Sequence, residues 1–177
     1  MTYPFETAER GRGFDVIYSI GVLHHLPDPR EGFLSLARYL RPGGTIAIWV
    51  YGYENYGLVR KVIEPLRRVS TKMPPSLLRG LAWPLGVGFH GLAKGVYRPL
   101  EQTAVGRRLP LNQYLSSVAD FSFRQNYGIV YDQLVAPTAA YIRGPELESW
   151  FEEAGLEDVR VTSRHGNSWR GQGQAPD

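Results

Sequence analysis

Two adjacent histidines, His24 and His25, stand near the end of the stretch Phe14–Pro29, "FDVIYSIGVLHHLPDP". A histidine side chain can ligate a metal or accept a proton near neutral pH. Adjacent side chains project in different directions and no third ligand is evident, so the pair does not read as a zinc site. A proton-transfer role for His25 is one reading open to the pair. The plainer alternative is that His25 orders its loop through backbone carbonyls. His24 reads as a surface or packing residue. The chain has no cysteine, which excludes disulfides, thiolate metal sites and a cysteine nucleophile and fits a cytosolic setting.

The elements that must position these histidines are legible around them. Phe14–Ile20 carries Val16, Tyr18 and Ile20 on one alternating face and Ile17 on the other. That pattern predicts a strand buried on both faces, as in a parallel sheet covered by helices. Asp28-Pro29-Arg30-Glu31 predicts a helix start: Asp28 caps, Pro29 takes the first helical position and Glu31 the third. Phe33, Leu36, Ala37 and Leu40 follow at helical spacing, and Arg41–Gly44, "RPGG", predicts the helix end and a turn. Thr45–Tyr51, "TIAIWVY", predicts a second buried strand. Two such strands joined by a helix make a βαβ unit, whose ligands bind beyond the carboxyl ends of the strands. Those ends are Ser19–His25 and Tyr51–Asn55.

From Tyr56 to about Arg143 the chain is rich in Pro, Gly, Leu and Arg. Leu58–Val69, Pro75–Leu85 and Leu111–Phe121 read as helices, with breaks expected at Pro65, Pro74-Pro75 and Pro84. The α/β pattern then resumes, so residues 56–143 are expected to be a helical insertion within one domain. Pro145 opens a helix that Gly155 closes, with Leu147, Trp150, Phe151 and Ala154 on one face. Asp158–Ser163 alternates like a half-exposed strand, and "NSWRGQGQ" is expected to pair with it as a last, poorly formed strand.

The 177 residues suit one domain with a sizeable core, and 43% hydrophobic with 21% charged residues is ordinary for a globular chain. "MTYPFETAERGRG" has no apolar core and does not read as a signal peptide. Net charge is +3, unevenly spread: Arg60–Arg108 holds ten Lys or Arg against two Glu, a charge of +8 that leaves −5 for the rest. A solvated helical face is the simplest reading of that segment. A second is contact of residues 58–72 with an anionic membrane surface, since Leu58, Val62, Ile63 and Leu66 interleave with Arg60, Lys61, Arg67 and Arg68. Nucleic acid is the least favoured partner, because no recognition motif accompanies Trp83, Phe89 and Tyr97.

As an ensemble, "FDVIYSIGVLHHLPDP", a helix and "LARYLRPGGTIAIWVYG" resemble the second half of class I S-adenosylmethionine-dependent methyltransferases. "GPELESWFEEAGLEDVRVTS" resembles their closing helix and strand. The resemblance covers Phe14–Gly52 and about Tyr131–Gly173, and the small-molecule enzymes acting on quinones, lipids or secondary metabolites look closest. It implies an α/β fold, a Rossmann-like sheet of order 3-2-1-4-5-7-6 whose last strand is antiparallel. This chain would supply strands 4, 5, 6 and 7. The family's glycine loop follows strand 1 and its ribose-binding acid follows strand 2; neither is found, and the "GRG" of Gly11–Gly13 precedes a strand instead of following one. The expectation is a fragment that lacks three strands, binds its cofactor weakly and exposes Phe14–Ile20 as a bare edge open to self-association.

The same resemblance implies roles. Ser19, Ile20, Gly21 and Val22 would line the methionine end of S-adenosylmethionine, with Gly21 allowing close approach. His25 would serve as base where the acceptor carries a proton. Tyr51, Tyr53 and Asn55 would face the acceptor, or else form an aromatic belt that merely packs. Val130–Gly144 resembles the segment that closes over the acceptor in small-molecule enzymes, with Tyr131, Asp132, Tyr141 and Arg143 as its polar candidates; Asp132 would accept a proton or cap a turn before Pro137. The implied partner is a small, amphipathic acceptor methylated on oxygen or carbon. The competing reading is a non-catalytic module docking through its strand edge or basic helices.

Overall fold

A computed structural model of the chain describes residues 13–54, 57–137 and 139–177. It divides into two compact units. One comprises Met1–Tyr53, Thr138–Arg164 and Ser168–Asp177; the other comprises Glu54–Pro137 and His165–Asn167.

The first unit is an α/β layer. Strand β1 is Phe14–Ile20, helix α1 Pro29–Ala37 and strand β2 Leu40–Tyr51. β1 and β2 run parallel, with Ile17 opposite Ile46 and Ser19 opposite Ile48. The Asp28 carboxylate accepts the Glu31 backbone N–H at 2.9 Å and Pro29 opens α1, so the local start signal is realised. The helix ends earlier than its apolar spacing suggested. Its last residue is Ala37, and Leu40 already belongs to β2. Arg41–Gly44 then forms an irregularity inside β2, where the register jumps from Phe14–Leu40 to Val16–Thr45. Gly43, at φ +68°, permits that bend, and a Cβ on Gly44 would stand 2.8 Å from the Phe14 carbonyl oxygen.

Helix α7 (Gly144–Glu153) leads through Gly155, at φ +66°, into strand β3 (Glu157–Arg164) and then β4 (Ser168–Gln174). β4 lies between β2 and β3 and is antiparallel to both, so the sheet order is β1-β2-β4-β3. The closing strand is therefore a fully paired interior strand, not a poorly formed one. Its alternate glycines explain why: a Cβ at Gly171 or Gly173 would stand 2.6 or 2.8 Å from the Phe151 ring, so bare backbone is what lets α7 press onto the sheet. β3, at the sheet margin, is exposed at almost every position rather than half-exposed.

The core lies between one face of this sheet and helices α1 and α7. Ile46, Ile48 and Val50 meet Phe33, Leu147, Trp150 and Phe151 there, and the Phe33 and Phe151 rings are 4.7 Å apart. Each such side chain contributes roughly 1.5–3 kcal/mol on burial. Arg30 and Glu153 form a two-pronged ion pair from α1 to α7. The opposite face of β1 is open: Val16, Tyr18 and Ile20 are 61%, 75% and 59% exposed. The apolar run therefore does not mark a strand covered on both sides. Apolar content reports what a strand would bury, while cover depends on what packs above it.

The second unit is helical: α2 (Gly57–Ser70), α3 (Pro75–Leu92), α4 (Arg98–Leu100), α5 (Asn112–Val118) and α6 (Phe123–Val135). α3 does not stop at Pro84 but continues to Leu92, and a π-helical turn, Ala93–Tyr97, joins it to α4. Pro84 is exposed, so the backbone bond it forfeits lies toward solvent, where water can satisfy the freed carbonyl. α6 holds the unit together. Leu78 and Ala82 of α3 pack with Leu134 of α6, and a Cβ on Gly86 would stand 3.3 Å from Tyr127 Cα. α2 turns a polar side inward. Arg67 donates to the Gln133 carbonyl and side-chain oxygens, both at 3.0 Å, and Ser70 donates to the Leu134 carbonyl at 2.7 Å. Val62, Leu66 and Val69 of α2 face outward.

Candidate functional site

The ends of β1 and β2 in the first unit build the site. Beyond Ile20, Gly21 donates to the Trp49 carbonyl at 3.1 Å, one step past the last paired residues of the ladder. Gly21 then takes φ +73°, a conformation glycine adopts without strain. The chain tightens into a 3-10 turn, Leu23–His25, closed by His25 N–H to the Val22 carbonyl at 2.9 Å. Leu23 and His24 are buried in that turn and His25 is half-buried. Ser19, Ile20, Val22 and Leu23 border a cleft of about 450 Å³ beside β1. Gly21 shapes the cleft by turning the chain and does not line it.

The same turn carries the histidines into an aromatic group. The His24 ring stacks on Tyr51 at 3.9 Å and meets Trp49 edge-on at 5.9 Å. Of the two readings of His24, packing is the one realised; it is not a surface residue. His25 lies 4.3 Å from the His24 ring and 5.9 Å from Tyr51, edge-on to the latter.

A strap from the far side of the sequence closes this end of the sheet. Ala140 N–H donates to the His24 carbonyl at 2.7 Å, Ile142 N–H to the Tyr51 carbonyl at 2.9 Å, and Tyr53 N–H to the Ile142 carbonyl at 2.9 Å. Gly52 and Ile142 thereby form a parallel bridge that extends the carboxyl end of β2. Tyr141 stacks on Tyr51 with centroids 6.2 Å apart, and the Arg143 guanidinium lies 4.3 Å above the Tyr53 ring. The arrangement offers hydroxyl, imidazole and guanidinium groups on an aromatic wall, suited to orienting a flat, partly apolar molecule.

His25, Tyr51, Tyr53, Tyr141 and Arg143 are thus brought together, and Ser19, Ile20, Gly21 and Val22 lie immediately before them in the chain. Tyr131 and Asp132 belong to the second unit instead, within α6. Tyr131 stacks on Tyr127 at 6.2 Å. Asp132 caps no turn: its backbone carbonyl accepts the Ala136 N–H at 3.2 Å inside the last turn of α6, and its side chain is exposed. Asn55 lies outside the described residues. Trp49 and His24 were not among the candidates, yet both build the wall. The signal was there: Trp49 precedes Tyr51 by two residues, the spacing of one strand face. Among the described residues, no group of three His, Asp or Glu side chains could hold a metal ion.

The residues present fit a sulfonium cofactor in kind. A turn with a left-handed glycine, exposed Ile20 and Val22 side chains and a cleft of ligand size lie at the carboxyl end of a parallel strand, where α/β sheets place their ligands.

The sheet order and strand directions are those of strands 4-5-7-6 in a class I methyltransferase, with the last strand antiparallel. The chain belongs to the methyltransferase-domain family, whose model matches residues 2–161. An uncharacterized protein of Synechococcus sp. is 29% identical over 167 residues, covering 90% of this chain and 35% of its own length. This chain therefore spans about a third of that relative. The solved structure of an O-methyltransferase family protein from Burkholderia thailandensis aligns with 16% identity and a TM-score of 0.42, over 96% of this chain and 32% of that one. A structure from Bordetella parapertussis aligns with 17% identity and a TM-score of 0.44, over 93% and 40% of the two chains.

Proposed function

We propose that the chain takes part in methyl transfer from S-adenosylmethionine to a small, amphipathic acceptor, on oxygen or carbon. The observation that carries this reading is the convergence, at the carboxyl ends of parallel β1 and β2, of the Ser19–Val22 turn with the wall of His25, Tyr51, Tyr53 and Tyr141. Ser19, Ile20, Gly21 and Val22 would hold the cofactor's methionine end, and the cofactor when bound supplies an electrophilic methyl group on sulfur. The protein's part is then positioning and water exclusion, because in-line displacement depends mainly on alignment of the nucleophile. The Tyr51 and Tyr141 rings present parallel faces against which a flat acceptor can be held. Arg143, lying over Tyr53, favours an acceptor with a partial negative charge at that end. His25 takes the proton where the nucleophile is a phenol or alcohol.

None of the described residues forms a glycine loop after a strand, and the proposal includes weak cofactor binding by this chain alone. The experiment is titration of the isotopically labelled chain with S-adenosylhomocysteine, followed by NMR. Amide shifts concentrated on Ser19–Val22 are expected, with saturation only at high ligand concentration. Shifts scattered elsewhere, or none, would remove the cofactor role.

One observation favours a second reading. β1 has a single strand neighbour among the described residues, and its outward side chains are apolar and exposed. A non-catalytic docking module would use that edge, including for self-association. Size-exclusion chromatography separates the two: a clean dimer dissociated by Tyr18→Lys supports docking, and a monomer that binds S-adenosylhomocysteine supports transfer.

A further inference from the structure

We infer that the helical unit binds a small organic anion, a carboxylate or phosphate monoester with an apolar body, in a cleft at the start of α5. The cleft has a volume of about 510 Å³, the size of a small-molecule site. Arg107, residues 109–113 and the turn at His165 and Gly166 border it, and all belong to this unit. Its walls are held in place. The 3-10 turn Gly106–Arg108 is pressed so closely on the preceding segment that a Cβ on Gly106 would collide with the Leu100 carbonyl. The Gly106 N–H donates to the Thr103 hydroxyl at 2.9 Å, and that hydroxyl donates to the Leu100 carbonyl at 2.8 Å. The Pro110 carbonyl accepts from the Tyr97 hydroxyl at 3.1 Å, and Asn112 Nδ2 donates to the Glu101 carbonyl at 3.3 Å. Leu111 stands between these two anchors at φ 57°, with no side-chain bond to cap α5. A residue entering a helix is ordinarily extended, and the left-handed form strains a leucine. His165 and Gly166 are left-handed as well, but the tight connection from β3 to β4 accounts for them. Nothing of that kind accounts for Leu111, and strain of this sort collects at ligand clamps.

Charge selects the ligand. Glu101, whose carbonyl anchors Asn112, gives its carboxylate to Arg98 at 3.1 Å, and Asp120 gives its own to the same guanidinium at 3.2 Å. Arg107 is exposed and takes no part in the ion pairs of the described residues. Its Nη1 donates to the Gln102 carbonyl at 2.8 Å, which fixes the side chain and leaves the Nε and Nη2 N–H groups to a ligand. Gln113 is exposed and adds an amide, and His165 adds an imidazole. Leu109, Pro110 and Leu111 supply the apolar wall beside these donors. A guanidinium fork matches a carboxylate or phosphate, and the apolar wall matches a short hydrocarbon body. A neutral ligand would leave Arg107 without a counter-charge. The site needs no cofactor and is independent of the methyl-transfer reading.

The test is NMR titration of the isotopically labelled full chain with hexanoate and with hexyl phosphate, and with hexanol as the neutral control. At least one anion should shift the amides of Arg107, Leu109, Leu111, Asn112, Gln113 and Gly166 together and saturate them. The tighter of the two tells which headgroup the site takes. Hexanol should bind at least about tenfold more weakly. Arg107→Gln should weaken anion binding by about tenfold or more. Arg108 is equally exposed but does not border the cleft, so Arg108→Gln should change binding by no more than about twofold. Gln113→Glu changes an exposed side chain and sets a like charge against the ligand; it should cause a loss comparable to that of Arg107→Gln, with circular dichroism unchanged. Three results would overturn the inference: no saturating shifts at these amides with either anion, hexanol binding as tightly as the anions, or equal losses from Arg107→Gln and Arg108→Gln, which would mean general attraction to a basic surface.

Discussion

Replacing Gly171 by alanine tests the packing that carries the strap. Gly171 sits in β4 directly beneath Phe151, and a Cβ there would stand 2.6 and 2.7 Å from two atoms of that ring. Ordinary contact begins near 3.4 Å, so the ring would have to retreat by about 0.8 Å. It has nowhere to go: Phe151 is fully buried and its ring is 4.7 Å from that of Phe33. Overpacking of this kind costs roughly 1–3 kcal/mol. Loss of glycine's freedom in the unfolded chain returns roughly 0.4–1 kcal/mol. A net loss of about 1.3 kcal/mol at mid-range follows, within limits of about 0–2.6 kcal/mol, or a fall in Tm of roughly 3–5 °C for a chain of this length. Urea unfolding read by tryptophan emission measures it, because Trp150 is buried beside the same rings, 6.0 Å from Phe33. A double-mutant cycle sharpens the claim: Phe151→Leu makes room, so the two substitutions together should cost less than their sum. Stability above that of the parent for Gly171→Ala, or strict additivity with Phe151→Leu, would refute the account of α7 pressed onto bare backbone. The consequence reaches the site, because α7 begins immediately after Arg143.

Three further outcomes are expected. Gly21→Val places a β-branched residue at φ +73° and should cost roughly 1–3 kcal/mol while abolishing the S-adenosylhomocysteine shifts at Ser19–Val22, read by unfolding and NMR respectively. His25→Gln keeps a polar side chain but removes the base; transfer to a phenolic acceptor should fall by about 10²-fold or more with S-adenosylhomocysteine binding unchanged, and an equal loss of binding would make His25 a loop-ordering residue. Arg67→Met removes both donors to Gln133 from a nearly buried position and should destabilise the helical unit by roughly 1–3 kcal/mol, seen as earlier loss of helical circular dichroism in urea.

What the residues decide locally was legible. Asp28 and Pro29 start α1, Pro145 and Gly155 bracket α7, and two apolar runs around a capped helix make parallel β1 and β2, because caps and strand periodicity act over a few residues. The start of helix α6 has a local signal too: Ser122 and Gln125 form a capping box there. Other features were decided only by tertiary structure. Nothing near Val16, Tyr18 and Ile20 in the chain tells whether a second layer covers them, and among the described residues none does. Nothing local says that α2 turns Arg67 and Ser70 inward and Val62 and Val69 outward, because that depends on acceptor carbonyls 64 to 66 residues away on α6. The aromatic wall is of the same kind. Tyr141 reaches Tyr51 because Ile142 hydrogen-bonds the end of β2, and a bond between residues 91 apart in the chain leaves no mark in either neighbourhood. Backbone preference is a property of a residue and its near neighbours, whereas cover and convergence are properties of the surfaces that folding brings together.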